Sequence, residues 1–349
     1  MTPWSWFTLI LAIALAACVP TAPPSPTAAK PGETTAAKLV DELPTVTIAA
    51  SRGLVSMPTW NMINIGPRYG FKVDIKVLIT YADQQRAVAA GETDVATTGI
   101  NNPAIIVSNN ITNLRFIAGQ QWGGQNIVMR KGVDVKSWKD LEGKKIGLAP
   151  GTWARVLFLI AARQHGVDLD KVEMVNVEAA GATALQALQR GELDGFVLFA
   201  PTTDRAIVEG YGYYPPDVDI GDVDFGDANG GLLANIAFLQ KQELALNFMK
   251  AWIESITQMQ TDQEAFVRLG TQVAGVSPEV ARETYRNTRF SYNIDERAIV
   301  AAAKLGPEFG YAREDYSEQV GQILDFSLLE RATGKSRAEL STPPPKIPR

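Results

Sequence analysis

Short β-rich runs alternate with amphipathic stretches along most of the chain. Val46-Thr47-Ile48-Ala49-Ala50 is such a run, broken at Ser51-Arg52-Gly53, and a helix is predicted over 56–69. Val73-Asp74-Ile75-Lys76-Val77-Leu78 alternates apolar and polar positions, as a half-buried strand does. Asp83 is placed to cap a helix that runs through Ala90 and is closed by Gly91. Residues 95–98 read as the next strand. Pro103 then falls in the first turn of a helix, where its missing N–H costs little.

The same order returns in the second half. Gly91-Glu92-Thr93-Asp94 is matched by Gly191-Glu192-Leu193-Asp194, each between an Ala/Gln/Arg-rich helix and a strand. Each strand leads to a Pro-initiated helix, at Pro103 and Pro201. Between them, 144–149 reads as a strand and Pro150-Gly151-Thr152-Trp153 opens a helix to His165, ended by Gly166. Residues 172–177 form a further strand. Past Asn229 the pattern turns helical, over 244–261, 262–273, 278–286 and 295–305. Two similar α/β lobes are expected, with a late helical segment packing back on the first.

The N-terminus carries a different signal. Residues 4–17 are apolar but shorter than the about 20 residues a bilayer span requires, which suits a signal peptide over 1–17. No Lys or Arg precedes the run. It closes in Leu15-Ala16-Ala17-Cys18, which resembles a bacterial lipobox and implies lipidation of Cys18, the chain's one cysteine. Residues 18–44, rich in proline, read as an extended linker that holds the folded body off a membrane surface. Residues 331–349, ending in Pro343-Pro344-Pro345-Lys346-Ile347-Pro348-Arg349, read as a tail.

Composition narrows the chemistry. Lys and Arg number 33 against 38 Asp and Glu, with no basic block, so nucleic acid is not the expected partner. One His and one Cys leave no zinc site, no Cys/His nucleophile and no disulfide framework. Asp83, Asp94 and Asp194 read as cap or loop carboxylates, and no spacing sets two of them as acid and base. His165 stands at a helix end, where partial positive charge suits the helix dipole. Neither catalytic residues, nor a metal, nor a cofactor are expected. The chain reads as a binder rather than an enzyme.

Four pieces in this order and spacing carry a resemblance: Ala90-Gly91-Glu92-Thr93-Asp94-Val95-Ala96, Asp140-Leu141-Glu142-Gly143-Lys144-Lys145-Ile146-Gly147, Gly151-Thr152 and Gly191-Glu192-Leu193-Asp194. The chain resembles the type II periplasmic-binding-protein fold. It is most similar there to the solute-binding proteins of ABC importers for thiamine pyrimidines, riboflavin, nitrate, taurine and alkanesulfonates. The resemblance implies a two-lobed α/β protein with two hinge crossings and a helical C-terminal segment. Lobe 1 would comprise 45–122 and 230–330, with lobe 2 at 123–229 inserted between them. The crossings would fall near Trp122-Gly123-Gly124 and Asn229-Gly230-Gly231, where paired glycines suit a hinge. It also implies a small-molecule ligand, a membrane permease as partner, a monomer, and a place on the cell membrane facing the periplasm or exterior.

Ligands of open α/β sheets bind outside the carboxyl ends of the strands. The residues expected there are Arg52, Met57 and Trp60 after the first strand, Asn101 after the third, and Trp122 and Gln125 at the first crossing. Lobe 2 adds Thr152, Trp153 and Phe199, and the second crossing adds Asn229 and Asn235. Three indoles among neutral amides suit a planar heterocycle with carbonyl and N–H edges, riboflavin ahead of a thiamine pyrimidine. A sulfonate or other small anion would ask for cations, and Arg52 and Arg155 are the candidates. An enzyme on the same fold, of the pyrimidine-synthase or small-acid dehydratase type, and a sensory receptor are the readings from other classes.

Overall fold

A computed structural model describes residues 42–345. The signal peptide at 1–17, Cys18, most of the 18–44 linker and residues 346–349 lie outside the described residues.

Two sheets organise the body. The larger has the order β11-β4-β10-β3-β1-β2, with β1 Thr45–Ala50, β2 Lys72–Val77, β3 Val95–Gly99, β4 Leu114–Gly123, β10 Ala228–Asn235 and β11 Thr288–Phe290. The smaller has the order β7-β6-β8-β5-β9, with β5 Gln125–Arg130, β6 Lys145–Leu148, β7 Glu173–Asn176, β8 Gly195–Phe199 and β9 Gly212–Tyr213. β1 is parallel to β2 and β3, whereas β10 runs antiparallel to β3 and β4. β3 and β10 are buried along their whole length, because helices cover both faces of the sheet centre.

The repeated Gly-Glu-x-Asp segment has one structural task in each lobe. Gly91 and Gly191 end their helices with φ of 74° and 75°. Glu92 N donates to Ala87 O at 2.9 Å, and Glu192 N to Ala187 O at the same distance. Asp94 Oδ2 then accepts from the Thr47 backbone N–H at 2.9 Å, and Asp194 Oδ2 from that of Lys145 at 3.0 Å. In return, Asp94 N donates to Thr47 O and Asp194 N to Lys145 O. Each carboxylate staples the start of its strand to the neighbouring parallel strand. Asp94→Ala is expected to cost about 1–3 kcal/mol by stranding that part-buried N–H, and Asp194→Ala less, because the exposed Lys145 N–H can turn to water; both are read as shifts in urea midpoint. Unchanged midpoints would remove the staple from the account.

The crossings differ from expectation in one place. β4 passes into β5 through Gly123 and Gly124, both at φ 69°, and a Cβ on Gly123 would lie 2.6 Å from Asn287 O. The second crossing is the segment 214–227. Asn229-Gly230-Gly231 lie inside β10, with Gly230 opposite Gly99 and Gly231 opposite Thr98. A Cβ on Gly231 would come within 2.3 Å of Ala118 O, so close packing, not hinge rotation, demands glycine there. Likewise Thr80, rather than Asp83, caps the helix Tyr81–Ala89, its hydroxyl accepting from Asp83 N at 3.1 Å.

The late helices do return to lobe 1. Helix Gln242–Thr261 lies against helix Met57–Ile65, and Trp252, fully buried, donates Nε1–H to Gly119 O of β4 at 3.2 Å. The tail expectation fails for the described part of 331–349. Residues Arg337–Leu340 are helical, Leu340 is fully buried, and its carbonyl accepts from Ile294 N at 2.9 Å. The buried Arg289 guanidinium ties Asp227 to the Pro344 and Pro345 carbonyls. An apolar residue inside a Pro-rich terminus was the sign of docking. No helix among the described residues is long and apolar enough to cross a membrane.

Candidate ligand site between the lobes

The carboxyl ends of β1 and β3 and the amino end of the antiparallel β10 share one edge of the larger sheet, and β4 ends there at the first crossing. β5 starts directly beyond it, opposite the end of β8. The chain crosses from the larger sheet to the smaller at this edge.

Two amides there, Gln125 and Gln121, are buried with few of the hydrogen bonds their burial calls for. Gln125, 1 % exposed and opposite Phe199, has neither amide atom bonded. Gln121, fully buried, lies against the Tyr81 hydroxyl; burial pushes that hydroxyl above the usual tyrosine pKa, while Gln121 draws it back. The amide of Asn101, buried at the end of β3, stands beside Gly99. Next to Gln121, Gln120 donates to Val55 O at 2.7 Å but leaves its own carbonyl unbonded. Buried amides without partners cost about 1–3 kcal/mol each, and native proteins keep such groups where something else meets them.

Arg52 is exposed at the rim, its guanidinium 5.7 Å from the centre of the Trp60 ring, and Trp60 Nε1 donates to Ser51 O at 2.8 Å. Half-buried Thr152 caps the lobe 2 helix Trp153–Gln164, accepting from Arg155 N at 3.4 Å and donating to Ala149 O at 2.8 Å. Phe199 is also half-buried. Asn229 donates to Gly123 O at 3.1 Å and so ties the start of β10 to the first crossing.

Four expected contacts are placed elsewhere. Met57 is fully buried, because the first helical turn turns its apolar side to the core. Trp122 is buried with its indole N–H toward Asp295 of the late segment. Trp153 is buried as a strut between the lobes, donating Nε1–H to Ala228 O at 3.0 Å and packing 5.9 Å from the Phe225 ring. Asn235 stands at the opposite edge of the sheet, about 17 Å from Gly230 at the usual rise per residue. There it caps helix Ile236–Leu239 and donates to Val88 O. The antiparallel course of β10 puts its end where the parallel strands begin.

Tyr81 was not anticipated. Its signal was the Thr80-x-x-Asp83 cap, which starts a helix at the end of β2 with Tyr81 first. Two surface depressions, of about 390 and 1010 Å3, lie on other faces; one is lined by Asn61, Arg68, Gln258 and Arg268, the other by Glu296 and Arg297. The unbonded buried amides lie in neither. No cluster of His, Cys, Asp and Glu among the described residues is arranged to hold a metal ion. Together the site residues offer neutral donors and acceptors, a few aromatic faces and one exposed cation.

Comparison with known proteins follows this geometry. The family described as NMT1/THI5 like matches residues 68–265. No curated protein matches the chain. Among solved structures, the ligand-binding component of an ABC-type import system from Staphylococcus aureus superposes with a TM-score of 0.68 at 17 % identity, covering 84 % of this chain and 99 % of that one. The periplasmic aliphatic sulphonate binding protein of Escherichia coli gives 0.68 at 17 %, covering 80 % and 91 %. The periplasmic nitrate-binding protein of Synechocystis PCC 6803 gives 0.68 at 13 %, covering 84 % and 89 %. The fold is that of the periplasmic binding proteins.

Proposed function

The chain belongs to the NMT1/THI5-like family, and from that premise we propose that it is the extracytoplasmic solute-binding protein of an ABC importer. It would be a monomer anchored through Cys18 that hands its ligand to a membrane permease. The observation that carries the ligand reading is the pair of buried amides Gln121 and Gln125, one from each side of the first crossing, of which Gln125 has neither polar atom bonded and Gln121 meets only the Tyr81 hydroxyl. A solute entering the gap would supply partners to both at once and so favour the closed arrangement of the lobes.

Such a site suits an uncharged solute with donors and acceptors along one edge, as in an isoalloxazine or pyrimidine ring. Riboflavin stays ahead of a thiamine pyrimidine, on a narrower basis than three indoles: Trp60, Tyr81 and Phe199 are the aromatic residues left around the gap. The second reading is a small organic anion, favoured by Arg52, which has no carboxylate partner among the described residues. The sulphonate- and nitrate-binding structures are consistent with it. An enzyme on this fold has less support, since the one histidine is stacked on Trp138 at 5.1 Å.

Isothermal titration with riboflavin, a thiamine pyrimidine and an alkanesulfonate tests the order. Binding of a neutral ring that is weakened tenfold or more by Gln121→Leu is the expected result. Binding of the sulfonate alone, lost in Arg52→Ala and unaffected by Gln121→Leu, would reverse it. Turnover of any of the three, followed by mass spectrometry, would instead establish an enzyme.

A further inference from the structure

Behind the hinge, on the side of the late helices, a single carboxylate joins the two lobes. Asp204 belongs to lobe 2, on helix Thr202–Val208, and is completely buried. Its Oδ1 accepts from the Tyr214 hydroxyl at 2.6 Å and from Asn287 Nδ2 at 3.1 Å, and its Oδ2 accepts from the Thr284 hydroxyl. Tyr214 opens the second crossing. Thr284 and Asn287 lie on helix Pro278–Asn287, which runs into β11 of the larger sheet. The same Asn287 reaches the first crossing, where its carbonyl accepts from Gly124 N at 2.9 Å. One side chain therefore gathers lobe 2, lobe 1 and both crossings.

We propose that Asp204 is a proton-operated strut that sets the angle between the lobes. Enclosed, the carboxyl holds its proton more tightly than it would in water, so the protonated form favours the arrangement that keeps it between the late helix, the second crossing and lobe 2. Ionised, it accepts all three hydrogen bonds, but these do not make up for its lost hydration, and the charge favours arrangements that let water reach it. The lobes then rest at a wider range of angles, and the protein keeps or gives up its ligand according to the acidity outside the membrane.

The surroundings of the carboxyl support this. Burial pushes its pKa up to about 6 against the opposing pull of Thr284, Tyr214 and Asn287, and the Glu283 carboxylate adds to the rise. Glu283 is the charged neighbour from the late helix, and it is itself paired with Arg286. On Asp204's own helix, Arg205 is paired with Glu209. Arg130 of β5 is committed to Asp194, and Arg190 of the adjoining lobe 2 helix to Glu192. Arg282 is paired with Glu264, and Tyr285 donates to Gln260 O. Among the described residues no cation pairs with Asp204.

The test is the separation of the lobes against pH, measured without ligand. Spin labels at Ile79→Cys on lobe 1 and Ala180→Cys on lobe 2, both exposed, in a Cys18→Ser background, give the distance by pulsed electron resonance. The distribution is expected to narrow between pH 7.5 and pH 5, with a midpoint near 6. Asp204→Asn, uncharged at both values, is expected to hold the narrow distribution throughout. Thr284→Val, which removes one donor to the charged form and leaves the carboxyl in place, is expected to move the midpoint upward even should Asp204→Asn fail to fold. His165→Asn controls for the histidine and should retain the wild-type response. A wild-type distribution that ignores pH, a response that persists in Asp204→Asn, or a midpoint unmoved in Thr284→Val would overturn the strut.

Discussion

Gln125→Met is expected to make the empty protein more stable and the ligand complex weaker. The wild-type amide is buried with both of its polar atoms unbonded. Methionine has nearly the same shape and no desolvated amide, so the free protein should gain about 1–2 kcal/mol. Ligand affinity should fall tenfold or more, since a hydrogen bond worth about 1.4 kcal/mol or more is lost from the complex. The two changes have opposite signs, which a residue of purely structural value does not produce. Urea unfolding without ligand reads the first and isothermal titration the second. A loss of stability in the empty protein would mean that the amide is already satisfied, and Gln125 would leave the ligand site.

Trp252→Ala carries the largest expected loss of stability, about 3–5 kcal/mol. The indole is fully buried between helix Gln242–Thr261 and the larger sheet, and its N–H serves the Gly119 carbonyl of β4. Truncation leaves a cavity and a buried carbonyl without its donor. The sheet has little room to close over the gap, because a Cβ at Gly119 would already stand 1.9 Å from Asn293 O on the adjoining chain. Trp252→Phe keeps most of the volume and should cost less than half as much. A change under about 1 kcal/mol for the alanine variant would show that the late helices contribute little to holding lobe 1.

Much of this architecture can be seen in the residues themselves. Alternation placed β1, β2 and β3 within a residue or two, and the Gly-Glu-x-Asp repeat marked two lobes whose strands are stapled alike. Helix starts at Pro103 and Thr152 follow from local chemistry that tertiary packing did not override. What stayed hidden depends on strand direction and facing. β4 and β10 are buried on both sides and pair through irregular registers, so neither shows a clean alternation. An irregular register is also what conceals which way Trp122 points. Asn235 misled for a related reason: nothing local reports that β10 runs against its neighbours. Trp153 sits at the expected helix start, yet its indole serves Ala228 at the start of β10, a contact set by a residue 75 positions away.

The Arg289 tie has a practical outcome for anyone building a reporter from this protein. Its guanidinium holds the backbone at Pro344 and Pro345, only a few residues before Arg349, to Asp227 at the pivot between the lobes. A fluorescent fusion appended after Arg349 would pull on that pivot, and its signal would mix cargo capture with its own drag. Inserting the fluorophore instead in the exposed turn around Ile79 leaves the Arg289 tie untouched.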